Sequence, residues 1–316
     1  MNKQIIVEML RQIESVFDIN TILQEKVTQN LIKQYYQNSN LGYKYIHSSE
    51  GSMHFALNFD GQFDKAGYHG QVRLIADFAK KQSKMQAILE LGCGKGFNVR
   101  SLAREMQSFR ANSSNSVNIV GIDLTPFHVK QAKKWAKKEQ LHQVSFEVGN
   151  YENLQFENES FDLVFGIETV CHSTQLATVL QNANRVLCRG GHLVLFDGYR
   201  QANFSSLQAE LQTAARLVEL SMAVKEGVEI TTLLRVAKEN GFEVVKVEDI
   251  SYAVMPNVLK LQGLAKRYFK HKLLAKLLLA VLPNKLLKNA IAGLLIPATL
   301  QAKAQGYFQV VLRKQD

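Results

Sequence analysis

The sequence predicts an α/β fold: a mostly parallel sheet with helices on both faces, preceded by a helical N-terminal segment and broken late by a basic helical insertion. Three observations carry this reading. Between about residues 68 and 250, short apolar runs alternate with helical patterns, and continuous apolar strands between helices mark a parallel sheet covered on both faces. One run, "ILELGCGKG" at 88–96, ends on glycines at three alternate positions. Residues 251–300 hold Lys260, Lys266, Arg267, Lys270, Lys272, Lys276, Lys285 and Lys288 and no acid, so this window supplies +8 of the net +10.

Composition sets the frame. With 316 residues, 46% of them hydrophobic, and four prolines, the chain is made like a folded globular protein and not a disordered one. Cys93, Cys171 and Cys188 lie far apart; their spacing argues against a zinc site or a disulfide framework and fits a reducing compartment, the cytoplasm. The opening "MNKQIIVEMLRQIESVFD" sets Glu8, Glu14 and Asp18 among apolar residues at helical spacing, which reads as an amphipathic helix and not a signal peptide. No stretch offers the roughly 20 uninterrupted apolar residues that a membrane span requires.

In chain order, residues 1–36 read as helical, and the Gly-, Ser-, Asn- and aromatic-rich stretch up to residue 67 as ordered loop. Helix 70–82 leads to strand "AILEL", helix 97–107 to strand "VNIVGID". Thr125 as N-cap and Pro126 at the first helical position open a helix over 126–139. Strands "VSFEV" and "FDLVFGIE", a helix near 175–187 and strand "GHLVLFD" follow, then helices near 205–223 and 231–240 and "GFEVVKVEDI". After the basic segment, "GYFQVVLRK" closes the chain as a seventh strand. The expected parts are a cap segment over 1–67, a core over 68–250, a helical lid over 251–305 and a last core strand over 306–316.

The glycine loop decides between ligands. A P-loop ends Gly-Lys-Ser/Thr because the hydroxyl ligates magnesium; here Lys95 is followed by Gly96, so nucleotide hydrolysis is disfavoured. A dinucleotide fingerprint is G-x-G-x-x-G, whereas this loop spaces Gly92, Gly94 and Gly96 more tightly and sets Glu90 just before the turn. The second strand ends on Asp123, where a carboxylate can accept both hydroxyls of a ribose.

These residues resemble the class I S-adenosylmethionine-dependent methyltransferases. "ELGCGKG" is similar to their first motif, "GIDL" to the ribose-binding acid, "VGNYENLQFENESFDLVFGIE" to the third and fourth strand region, and "RVLCRGGHLVLFD" to the turn before the fifth strand. The resemblance covers roughly residues 70–250. It implies a Rossmann-like seven-stranded sheet, S-adenosylmethionine as cofactor, and donor contacts from Glu90, Gly92, Cys93, Gly94, Gly96, Asp123, Leu124, Asn150, Tyr151 and Ile167. Asn150 stands where the family often has Asp; its amide oxygen still accepts a bond from an adenine amino group. Cys188-Arg189 replaces the common Lys-Pro before "GG". "IETVCH" at 167–172 and "SMHF" at 52–55 resemble the sterol C-methyltransferases, and more distantly the tocopherol methyltransferases.

The chemistry needs alignment of acceptor, methyl and sulfur, and a base only if the acceptor must lose a proton. An alkene acceptor would become a carbocation, steadied by aromatic faces and a carboxylate. Candidates are Glu168 and His172 after the fourth strand, at the sheet edge where open α/β sheets place ligands, and His54, Tyr35 and Tyr36 from the N-terminal segment. His47, His69, His128, His142 and His192 share no metal-ligand spacing, so no metal is expected. In the basic segment, Pro283 and Pro297 are expected to separate three helices, with Val258, Leu261, Ala265, Tyr268 and Phe269 on one face. Such helices suit a lid over an apolar acceptor and, through 258–290, contact with an anionic membrane; nucleic acid is disfavoured by the scarcity of stacking aromatics. The expected activity is methylation, chiefly at carbon, of a lipophilic sterol- or prenoid-like molecule at a membrane surface. The alternatives are N- or O-methylation of a polar amine or phenol, and a non-catalytic donor-binding module.

Overall fold

A computed structural model describes residues 3–38, 48–82, 85–109 and 117–315. Its sheet has seven strands: β1 (Ala87–Leu91), β2 (Asn118–Asp123), β3 (Val144–Val148), β4 (Phe161–Ile167), β5 (Leu187–Arg200), β6 (Phe242–Asp249) and β7 (Gln305–Lys314), in the order β3-β2-β1-β4-β5-β7-β6. The first five pair in parallel, and β7 runs antiparallel between β5 and β6. Leu91 of β1 pairs with Ile122 on one side and Gly166 on the other. The chain winds outward in opposite directions from β1 and β4, so their carboxyl ends form a switch point, where such sheets open a crevice.

The continuous apolar runs follow from cover on both faces. Ile88 belongs to one core with Val72, Ile75, Leu102 and Phe165. Leu89 and Leu91 belong to the other with Val164, Leu180, Leu193 and Phe242. A third core joins the helices Lys3–Glu14 and Ile19–Leu23 to Ala209–Ser221 and to the helices of the basic segment, through Ile13, Leu217, Val258, Phe269 and Leu294. The cap is thus built from three separate stretches of sequence lying together.

The basic segment forms helices Ser251–Lys270, Lys272–Val281 and Asn284–Gln301. Its boundaries correct the expectation drawn from proline. Pro283 does separate two of them, but Pro297 lies within Asn284–Gln301, and the other break falls at His271. Burial explains this: Leu294, Leu295, Ile296 and Thr299 hold that turn in the core, which offsets the amide that proline cannot donate. Thr125 occupies the N-cap position before Pro126 without a side-chain capping bond; its own N–H is used at the site below. Among the described residues, no helix is long and apolar enough to cross a membrane.

Candidate active site

β1 delivers the chain into the crevice and the glycines turn it. Gly92, Gly94 and Gly96 all have positive φ (+67°, +51° and +74°), a region that side chains with a Cβ rarely enter. Space is equally restrictive: a Cβ on Gly92 would run into the Thr169 side chain beyond β4, and one on Gly96 would stand 2.6 Å from the Phe146 ring. The loop is pinned by Cys93 N–H donating to Ile122 O at 2.8 Å and Gly94 N–H donating to Asp123 Oδ2 at 2.9 Å. Asp123 Oδ1 accepts the Thr125 N–H at 2.8 Å and lies 3.3 Å from His128 Nδ1. Each carboxylate oxygen carries two lone pairs, so this prepositioned group still has acceptor capacity for a ligand's hydroxyls.

A cavity opens over this loop. Gly92, Cys93, Gly94, Asp123, Leu124, Asn150, Tyr151 and Ile167 line it, with Met53, His54 and Glu168. Eight of the ten residues expected to hold the donor therefore share one wall. The other two do not reach it: Gly96 closes the loop against Phe146, and Glu90 is wholly buried behind the loop. Asn150 Oδ1 accepts the Glu152 N–H at 2.9 Å, so an adenine amino group would share that oxygen. Tyr151 donates to Thr169 O at 3.1 Å, fastening the far wall.

Glu90 and His54 belong to one buried chain. Burial pushes the Glu90 carboxyl up to about 8 and the His54 imidazole down to about 4. Asn98 bridges them, at 2.7 Å from Glu90 Oε1 and 2.9 Å from His54 Nε2, while His54 Nδ1 lies 3.0 Å from Phe55 O. A neutral imidazole donates once. Turning the Asn98 amide lets protonated Glu90 donate to its oxygen, its NH2 donate to Nε2, and Nδ1–H donate to Phe55 O. Both ring nitrogens of His54, a candidate base, thus face structural partners; the ring positions the 52–56 segment over the donor cavity.

A second cavity adjoins the first, and Met53, Glu168 and His172 line both. Apart from these its wall is largely apolar and aromatic, with Phe55, Val218, Met222, Ile296, Leu300 and Tyr307 prominent. Tyr35 lies here and not over the donor loop, its hydroxyl donating to Asn289 Oδ1 at 2.7 Å. The Tyr36 side chain and His47 fall outside the described residues. His172, on the turn Val170–His172, directs Nδ1 to Ala223 O at 3.2 Å, and burial lowers its pKa.

Glu168 sits between the cavities with φ +48°, backbone strain of a kind that clusters at functional sites. Its N–H donates to Phe196 O at 2.7 Å, and its Oε1 accepts the Phe55 N–H at 2.7 Å. Burial first, opposed by that bond and reinforced by the nearby Asp197 charge, raises its carboxyl to about 8; the Tyr307 hydroxyl also donates to it. Asp197, from β5, accepts from Cys171 N and Gly198 N, each at 2.9 Å, and burial raises it to about 6. Asp197, with the lower pKa, raises Glu168, so the two buried carboxyls hold about one negative charge near neutral pH, carried mostly by Asp197.

Sequence reasoning missed Met53, Thr169, Asp197 and Tyr307. "GHLVLFD" ended a strand on Asp197 just as "VNIVGID" did on Asp123, a usable signal; Tyr307 reaches the cavity only because β7 inserts beside β5. The only Lys or Arg among the described residues of the second cavity's wall is Arg200, and its Nε and Nη2 each donate to Glu219 at 2.8 Å.

Comparison with known proteins adds an independent line. A family model described as a methyltransferase domain matches residues 82–241. The chain is 27% identical over 201 residues to a sterol 24-C-methyltransferase of Saccharomyces cerevisiae, covering 63% of this chain and 50% of that protein. It spans about half the length of the curated relatives it matches. A solved putative sarcosine dimethylglycine methyltransferase from Galdieria sulphuraria superposes with a TM-score of 0.70 at 16% identity, covering 89% of this chain and 98% of that one. A geranyl diphosphate methyltransferase, solved with its prenyl substrate and sinefungin, superposes with a TM-score of 0.64 at 14% identity, covering 90% and 97%.

Proposed function

The chain belongs to the methyltransferase-domain family, and on that premise we propose that it transfers a methyl group from S-adenosylmethionine to a neutral, lipophilic small molecule, chiefly at carbon. The observation that carries this is the pair of adjoining cavities with Glu168 in their shared wall. The donor cavity suits the cofactor on its own geometry: a glycine turn too tight for side chains, and Asp123 held with acceptor capacity to spare. Asp123 would take the ribose hydroxyls, Leu124 and Tyr151 would flank the adenine, and Asn150 would meet its edge. Bound there, the cofactor supplies an electrophilic methyl.

The three proteins named above differ in the acceptor their names imply: a sterol, an amine and a prenyl diphosphate. A diphosphate would enter a wall that holds the carboxyls of Glu168, Asp197 and Glu219 and an Arg200 already bonded to Glu219. Repulsion and the lack of a spare cation disfavour it. A neutral lipophile matches the apolar wall. Methylating its double bond would form one C–C bond as the donor's S–CH3 bond breaks, move positive charge from sulfur to an acceptor carbon, and pass one proton from the adjoining carbon to the ionised member of the Glu168–Asp197 pair. The Glu168–Asp197 pair supplies the single negative charge in an apolar setting where it acts most strongly. Tyr35, Phe55 and Tyr307 add aromatic surface for the cation. The same carboxyls are the second reading's support, since a cationic amine would also pair with them.

Mass spectrometry of small molecules that copurify with the protein tests the acceptor class. A neutral lipophile retained by the wild type and displaced in Ile296→Trp, which fills the cavity wall, supports the proposal. Retention of a polar amine or a diphosphate in its place would overturn it.

A further inference from the structure

Helix Lys272–Val281 presents an apolar face to solvent. Leu273 is 82% exposed, Leu274 55%, Leu277 66% and Val281 82%. At 3.6 residues per turn these four fall within one quadrant or slightly more of the helix. The opposite side is held by Ala275, which is buried in the cap core and whose carbonyl accepts from the Tyr268 hydroxyl at 3.3 Å, with Leu279 packed beside it. A helix serving only to cover a core would direct its leucines inward. Leu264 of the neighbouring helix, 40% exposed, adds to the outward apolar surface.

The charge carried by these helices has one sign. Lys266, Arg267, Lys270, Lys272 and Lys276 lie on the same two helices, and no acid occurs from Ser251 to Gln315. None of these five cations forms an ion pair among the described residues. By contrast, Lys288 is spoken for by Glu25 at 2.7 Å.

We propose that the Leu273–Leu274–Leu277–Val281 face, with the cations of its own and the preceding helix, docks the protein on an anionic lipid surface, the leucines entering the acyl boundary and the cations the headgroups. Charge complementarity selects this occupant. A second copy of the chain would bring the same five cations against each other, and like-charge juxtaposition opposes that interface. Nucleic acid would gain no stacking from leucines. An amphipathic helix with a basic margin needs both attractions to bind a bilayer. The same helical layer walls the acceptor cavity through Ile296 and Leu300, yet the docking stands whatever the acceptor is.

Vesicle flotation of the full chain tests this, with phosphatidylcholine vesicles alone or containing phosphatidylglycerol. Binding is expected to the anionic vesicles, weaker by about tenfold or more on neutral ones and on raising ionic strength from about 0.1 to about 0.5 M. Leu273→Ser/Leu277→Ser/Val281→Ser and Lys270→Glu/Lys272→Glu/Lys276→Glu should each lower binding by about tenfold or more. All six side chains are exposed, so circular dichroism should remain that of the wild type. No flotation with anionic vesicles at low salt would overturn the proposal. So would undiminished binding in both variants, or sedimentation velocity without lipid showing self-association that the serine variant abolishes.

Discussion

Glu168 Oε1 accepts the backbone N–H of Phe55 at 2.7 Å, joining the carboxyl end of β4 to a segment 113 residues earlier. One bond thus fixes both the carboxyl and the strand of chain that roofs it. Met53, two residues before Phe55, lines both cavities as Glu168 does. The N-terminal segment therefore lines both cavities and does not only cover them.

Glu168→Gln tests proton exchange by the pair. Glu168, raised to about 8, is mostly protonated near neutral pH while Asp197, raised to about 6, carries the charge, and the amide keeps an oxygen for Phe55. The turnover rate is expected to fall about 10²- to 10⁴-fold, the usual contribution of a positioned acid–base group. Donor affinity, measured by calorimetry, should stay within about twofold. Equal losses in turnover and donor affinity would assign Glu168 to the donor instead.

Asp123→Ala should weaken donor binding by roughly 10- to 100-fold, since hydrogen bonds to charged groups contribute about 1.5–3 kcal/mol each. Calorimetry reads this directly. Because Asp123 also accepts from Gly94 and Thr125, circular dichroism and the thermal midpoint should accompany the measurement. Unchanged donor affinity in a folded variant would remove the ribose assignment.

Burial of Glu90 carries a pH signature. Its folded pKa of about 8 lies above its ordinary 4.5, so the protonated form is the one that folding favours. Its stabilising contribution is complete below about pH 4.5 and is lost as pH rises through about 8. Glu90→Gln, which holds a neutral group in the same place, should flatten the fall in thermal midpoint between about pH 5 and about pH 8. An unaltered slope would show that Glu90 does not titrate in this range.

Gly92→Ala combines a positive φ of +67° with a collision against Thr169. The expected cost is about 2 kcal/mol or more of stability, read by urea denaturation. Gly198, a β5 glycine where an added Cβ would meet nothing within 4 Å, serves as the control and should tolerate alanine far better.

What the sequence made legible was local. The glycine loop, Asp123, and Glu168 at the end of β4 are short-range signals, because strand ends at a switch point converge by topology alone. The seven strands were equally visible as short runs rich in apolar residues, most of them bounded by helical pattern. The acceptor side was harder. Asp197, Tyr307, Met53 and Ile296 come from four distant stretches and meet only through the antiparallel insertion of β7 and the docking of the cap. His54 looked like a base because histidine often is one; only the buried chain through Asn98 to Glu90 shows both ring nitrogens engaged. The prolines misled at Pro297 because tertiary burial outweighed a local helix-breaking tendency.

The most direct test of methyl transfer across Glu168 is a single-turnover assay with methyl-labelled S-adenosylmethionine and a neutral olefinic lipid such as a sterol with an unsaturated side chain. Label is expected in an apolar product that survives alkaline hydrolysis, formed by the wild type and strongly reduced in Glu168→Gln. Label appearing in a polar amine but not in the lipid, or in no product while the donor binds, would contradict it.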